Sequence, residues 1–203
     1  IALMTLNRAQ NHMKLYFFNV KTGEHHVVME EQNQTWVAIF NFYTNVNDMI
    51  YFPEKSKEFF WVSDRSGYYH IYRYGYDGKV INQVTNGNWD MIKVTGIDAE
   101  AKKIYYLSAE TGGLDQMLWS INFDGSNKTK LSAVSGYHDV NMSPNTKYFL
   151  DSYSNVSTPL HVALSDDKGK VIKMLEENNN VSAYTKEHVY FPQQHFEFQD
   201  ADG

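Results

Sequence analysis

Phe59-Phe60-Trp61-Val62-Ser63 and His70-Ile71-Tyr72-Arg73-Tyr74 are two short runs of aromatic and β-branched residues, separated by the polar, glycine-containing stretch Asp64-Arg65-Ser66-Gly67. Runs of this length and composition, bounded by turn residues, read as strands. The pattern recurs. Ile104-Tyr105-Tyr106-Leu107 precedes Met117-Leu118-Trp119-Ser120-Ile121, and Tyr148-Phe149-Leu150 precedes Leu160-His161-Val162-Ala163-Leu164. Trp61, Tyr106 and Leu150 align at spacings of 45 and 44, as do the closing residues Ser63, Ser108 and Ser152. Working outward, each unit continues into a glycine turn and a further strand, as in Lys79-Val80-Ile81-Asn82-Gln83-Val84. The hairpin glycines Gly23, Gly78, Gly125 and Gly169 lie 55, 47 and 44 residues apart, and an aromatic (Trp36, Trp89, Tyr137) opens each new unit.

Helical periodicity is almost absent, so the chain reads as all-β. A period near 45 with about four strands per unit is that of a β-propeller blade. The reading is a propeller fragment of about four blades, each a four-stranded antiparallel sheet. The units are residues 1–33 (incomplete at the start), 34–87, 88–134 and 135–180, with 181–203 as an exit segment. Nearly every Trp, Tyr and Phe is expected to fill the space between blades.

Composition narrows the function. Of 203 residues, 15% are aromatic and 21% charged, which excludes a disordered chain. A net charge of -6 leaves no basic footprint, so nucleic acid is not expected as a partner. No apolar run approaches the roughly 18 residues that suggest a membrane span. With no cysteine there are no disulfides, thiolate metal sites or cysteine nucleophiles. The chain starts at Ile1 and stops at Gly203 within a polar run, which suggests a piece of a longer protein.

The run from Phe59 to Tyr72, continuing through Gln83-Val84-Thr85-Asn86-Gly87-Asn88-Trp89-Asp90, resembles the second half of the propeller in the dipeptidyl peptidase IV family of prolyl-oligopeptidase-like serine peptidases. Met4-Thr5-Leu6-Asn7-Arg8-Ala9-Gln10-Asn11 is similar to the strand and turn of the preceding blade, and Phe196 to Gly203 to the strand entering the family's α/β-hydrolase domain. The resemblance implies half of an eight-bladed ring. It implies a parent enzyme that removes N-terminal dipeptides, usually with Pro or Ala second, through a serine acyl-enzyme. The propeller would gate access to the active site, and the hydrolase domain, absent from this chain, would be its partner along with the peptide substrate. Family members suggest a periplasmic or secreted location.

No Gly-x-Ser-x-Gly elbow occurs in the chain, so it is expected to supply no catalytic residue and to be inactive alone. Phe40, in Trp36-Val37-Ala38-Ile39-Phe40-Asn41, falls nearest the family position that lines the substrate pocket, although Ile39 and Asn41 flank it where members with a well-marked loop carry Arg. Glu30-Glu31 is read as a solvated turn. His25-His26 and His138-Asp139 are ligand types, but neighbours in a strand point to opposite faces, so neither a metal nor a cofactor is expected. His70 and His161, in equivalent strands, suggest a repeated packing role. Half a ring would expose apolar faces and strand edges, so the chain is expected to self-associate, as a homodimer completing a ring, unless it closes as four blades. The alternative reading is a stand-alone propeller serving as a binding module.

Overall fold

A computed structural model describes residues 1–39, 46–188, 196, 198 and 199. Four antiparallel meanders follow one another along the chain. The first has three strands, β1 (Ala2–Leu6), β2 (His12–Phe18) and β3 (His25–Gln32). The second contains β4 (Ile50–Tyr51), β5 (Glu58–Ser63), β6 (His70–Gly75) and β7 (Val80–Gln83). The third is β8 (Met91–Asp98), β9 (Lys103–Ser108), β10 (Met117–Asn122) and β11 (Thr129–Lys130). The fourth is β12 (Tyr137–Met142), β13 (Tyr148–Asn155), β14 (Thr158–Asp166) and β15 (Val171–Glu176). The strands of each sheet are hydrogen-bonded in chain order, as in a propeller blade. Two short elements depart from the all-β reading among the described residues: a 3-10 turn at Val46–Met49 leads into β4, and helix α1 (Asn179–Glu187) follows β15 and has no buried residue.

Strand alternation sends successive side chains to opposite faces, and each sheet uses both. On β5, Phe59 turns toward the first sheet, its ring centroid 5.7 Å from that of Phe17. Its neighbour Phe60 turns the other way and meets Phe123 edge-on at 4.6 Å. Further along, Tyr105, Leu107, Leu118 and Leu131 of the third sheet pack on Val140 and Phe149 of the fourth. The core is therefore a series of layers between sheets. Burying one such ring contributes about 1.5–3 kcal/mol.

The hairpin glycines explain how the sheets come so close. Gly78 and Gly125 have φ of 79° and 86°, a region that favours glycine. A Cβ at Gly78 would overlap the carbonyl oxygen of Val28 on β3, and one at Gly125 would lie 3.0 Å from the carbonyl oxygen of Val84, just past β7. The turn of one sheet is thus pressed against the outer strand of the sheet before it.

Register corrects two sequence expectations. In the second and third sheets Trp61 stands opposite Ile50 and Tyr72, and Tyr106 opposite Val94 and Trp119. In the fourth sheet the residue between inner and third strands on that face is Asp151, opposite Val140 and Ala163, and Leu150 faces the other way and is exposed. The repeat therefore runs 61, 106, 151, with an aspartate where an aromatic was sought. Glu30 and Glu31 lie within β3 and not in a turn. Glu31 pairs with Arg65 of the next sheet, and Glu30 with His12 and Lys14 of its own.

If the layers between sheets carry the stability, Phe123→Ala should lower the free energy of unfolding by about 3–5 kcal/mol. Phe52→Ala, at a partly exposed ring, should cost about 1 kcal/mol or less. Urea titration of both variants checks this, and equal losses would contradict the layered core.

Candidate functional site

Successive turns of a meander lie at alternate ends, so the turns after β1, β5, β9 and β13 share one end with the connectors that lead to the next sheet. Backbone hydrogen bonds tie the two sets together. Val37 N–H donates to Gln10 O at 2.7 Å, Met91 N–H to Tyr69 O at 2.9 Å, and Ala109 N–H to Asp90 O at 3.1 Å. Gln116 N–H donates to Gly136 O, and His138 N–H returns to Gln116 O at 3.0 Å. This end also carries exposed apolar side chains: Trp36, Tyr68, Leu114, Tyr137 and Val156. A cleft of about 470 Å³ opens between Leu114, Tyr137 and Val156. A second, of about 690 Å³, lies between the β13–β14 turn and α1, with His161, Ser182 and Lys186 on its walls.

Two buried histidines hold the connectors from inside. His70, at the start of β6, directs Nε2 to the Gly87 carbonyl oxygen at 3.0 Å and Nδ1 to Thr85 Oγ1 at 3.2 Å. Trp89 packs edge-on against the ring at 5.0 Å. Burial pushes the His70 imidazole below its ordinary range, with the Gly87 carbonyl opposing. His138, on β12, lies 2.9 Å from both carboxylate oxygens of Asp151 through Nδ1 and 2.9 Å from the Val134 carbonyl oxygen through Nε2. Tyr153 stacks on His138 at 5.1 Å, and its hydroxyl lies 3.0 Å from His161 Nδ1.

His70 and His161 do occupy equivalent pairs, opposite Ser63 and Tyr153. Their partners differ, because His70 grips a connector and His161 meets a tyrosine. His25 and His26 point apart as alternation requires, one stacked on Phe18 and the other against Phe17. A charged post stands between the second and third sheets. Lys128 Nζ lies 4.6 Å from the Trp89 ring and 4.9 Å from the Trp119 ring, and pairs with Glu110. Between the first two sheets, Arg65 bonds Ser63 Oγ, Tyr74 Oη and Glu31 and lies 4.4 Å above the Tyr72 ring.

Phe40 lies outside the described residues. Val37, just before it, is buried, and Trp36 is exposed. The described histidine nitrogens at this end face carbonyls, a carboxylate and hydroxyls that position the backbone. In neither His70 nor His138 does the ring bridge a serine hydroxyl and a carboxylate, the arrangement a serine nucleophile needs. The site is an aromatic-edged rim whose connectors are tied by hydrogen bonds. Sequence reading missed Asp151, and its signal was the 45-residue spacing from Tyr106.

The His70 reading has a pH consequence. The unfolded chain takes up this proton as pH falls below about 6.5, before the folded one does, so the contribution to stability is present above that value and is lost on acidification. Urea midpoints at pH 7.5 and 5.5 should therefore differ less in His70→Gln than in the parent chain. An unchanged difference would contradict the assignment.

Comparison with known proteins shows the family. Residues 1–160 match the family model described as the dipeptidyl peptidase IV (DPP IV) N-terminal region. The crystal structure of Porphyromonas gingivalis dipeptidyl peptidase 4 superposes with a TM-score of 0.78 and 31% identity, covering 90% of this chain and 26% of that one. A putative dipeptidyl aminopeptidase IV from Bacteroides ovatus gives 0.72 and 26%, covering 87% and 27%. Dipeptidyl peptidase 4 of Trichophyton rubrum is 25% identical over 195 residues, which are 93% of this chain and 24% of that protein. The chain thus spans about a quarter of the length of these relatives. Over its propeller sheets, it belongs to the dipeptidyl peptidase IV family, as part of the family's N-terminal region.

Proposed function

We propose that the chain is the non-catalytic propeller portion of a serine-type dipeptidyl peptidase that releases N-terminal dipeptides with Pro or Ala second. The observation that carries the reading is the match of residues 1–160 to the family's N-terminal region, supported by the likeness to the Porphyromonas enzyme. Its partners are a peptide substrate, an α/β-hydrolase domain in the same protein and a second copy of the chain. Its place is the periplasm or outside the cell.

The rim is the part of the propeller that meets substrate. Connectors pinned by His70 and His138 hold their shape, so the opening they border passes an extended peptide and turns away a folded protein. Phe40, a few residues beyond the exposed Trp36, supplies apolar surface to the outer wall of the S2 pocket, which takes the N-terminal residue of the substrate. Catalysis itself belongs to the hydrolase domain, whose Gly-x-Ser-x-Gly serine is absent from this sequence.

The reading predicts that the coding region continues past Gly203 into a segment carrying Gly-x-Ser-x-Gly, then Asp and His. The full-length product should release p-nitroaniline from Gly-Pro-p-nitroanilide, and the 203-residue chain should not. In the full-length enzyme Phe40→Ala should raise KM roughly tenfold and leave kcat and thermal stability near the parent values, as expected for one lost apolar contact. A full-length protein with no such activity would overturn the peptidase reading, and an unchanged KM would remove Phe40 from the pocket.

A further inference from the structure

The chain holds one Asn-Gly pair, Asn86-Gly87, in the connector from β7 to β8. The fold requires the glycine. Gly87 has φ 138°, and a Cβ there would overlap Nε1 of Trp89, whose indole lies against it. Nothing requires the asparagine. Its side chain is exposed and makes no hydrogen bond among the described residues, and the Gly87 N–H likewise donates to none of them. Yet Asn86 stands between two anchors of one ring. On one side buried Thr85 places Oγ1 3.2 Å from His70 Nδ1 and accepts the Ile71 N–H at 3.0 Å; on the other the Gly87 carbonyl meets His70 Nε2 at 3.0 Å. The backbone of residue 86 sets the spacing of those anchors.

Asparagine before glycine carries an electrophile and a nucleophile within reach of each other. The side-chain amide carbon can close a small ring with the next backbone nitrogen, which has no Cβ beside it to shield it, and asparagine is among the thermolabile residues for such reasons. The two described Asp-Gly pairs are held against the same attack. Asp77 Oδ1 accepts the Lys79 N–H at 3.2 Å, and Asp124 Oδ1 accepts the Ser126 hydroxyl at 2.6 Å and its N–H at 2.9 Å. These bonds hold both carboxyls below their usual range, so they stay ionised and resist a nucleophile. Their glycine nitrogens are engaged as well, Gly78 with the Gly75 carbonyl at 3.0 Å and Gly125 with that of Asn122 at 2.9 Å. Neither restraint operates at Asn86-Gly87.

We propose that Asn86 is a self-modifying site, which converts to isoaspartate and thereby frees the connector from His70. Hydroxide takes the Gly87 amide proton, and the nitrogen forms a bond to Asn86 Cγ. The Cγ–Nδ2 bond breaks, ammonia leaves with a proton drawn from water, and a succinimide remains. Water then opens the ring at either carbonyl. Cleavage at Cγ leaves aspartate; cleavage at the main-chain carbonyl leaves isoaspartate, whose backbone runs through Cβ and Cγ. Overall one water is consumed and one ammonia released, with no change of oxidation state. Isoaspartate adds one carbon to the chain between Thr85 and Gly87, so both anchors can no longer meet the ring. It also places a new negative charge on a connector that already carries Asp90. The inference rests on the geometry of this connector and not on the peptidase reading, so either can fail without the other.

The test ages the folded chain in mildly alkaline buffer and maps its peptides by mass spectrometry over time. Isoaspartate is read by methyl transfer from S-adenosylmethionine with a protein isoaspartyl methyltransferase. The mass gain of deamidation should appear first in the peptide holding Asn86, with isoaspartate exceeding aspartate, and Asn86→Gln should remove it. Aged parent chain should unfold at lower urea than fresh chain and lose the pH sensitivity assigned to His70, whereas aged Asn86→Gln should keep its midpoint. Asn86→Asp, which adds the charge without the extra carbon, should stay closer to the fresh parent. The chain aged in urea, where every asparagine is free, reports intrinsic reactivity. The proposal is overturned if Asn86 stays intact in the folded chain, if another asparagine converts before it, or if isoaspartate at 86 leaves the urea midpoint unchanged.

Discussion

Contact between the faces of successive sheets is the interaction on which the rest depends. A sheet of three or four short strands has two faces and cannot bury either by itself; stacking neighbours at the usual separation of about 10 Å is how such sheets gain stability. Here the separation is set at the edges by glycine turns against carbonyls and in the middle by rings such as Phe60 and Phe123. Trp61 Nε1 and Tyr106 Oη are buried without a hydrogen-bond partner among the described residues, but the charged groups between sheets stand in satisfied sets. Arg65 with Glu31 and Tyr74, Lys128 between two indoles, and His138 with Asp151 each place charge or hydrogen-bonding capacity where a partner waits.

That constraint also shapes the rim. Because every sheet is fixed against the next, the connectors between them cannot drift, and buried His70 and His138 hold two of them by their carbonyls. Under the proposed reading, these loops with their exposed aromatic residues meet an extended peptide, and the bond-breaking chemistry belongs to another part of a larger enzyme.

Much of this was legible in the sequence, for physical reasons that also mark the limits. Aromatic strand runs and Asp-Gly or Lys-Gly turns betrayed the meanders, because strand pairing and positive φ demand those residue types locally. The 45-residue period survived since each blade repeats one packing problem. Asp151 escaped because apolar matching favoured its neighbour Leu150, and what justifies a buried aspartate is His138, brought beside it only by pairing β12 with β13. Glu31 was misplaced for the same reason, since its partner Arg65 is 34 residues away. Helix α1 gives little warning, having no apolar face to bury and so no periodic signature. Phe40 lies outside the described residues, and its assignment rests on resemblance to the family.

The most direct test of the account is a glycine-to-alanine series read by urea unfolding at concentrations where the chain is monomeric. All the hairpin glycines share positive φ, so the backbone penalty of about 1–2 kcal/mol is common to them. Gly78 and Gly169 press on a neighbouring sheet, and Gly23 does not. Gly78→Ala and Gly169→Ala should each lose about 1–3 kcal/mol more than Gly23→Ala, the extra being the overpacking between sheets. Equal losses at the three positions would mean that the turns do not set the approach of the sheets, and the account would be wrong at its centre.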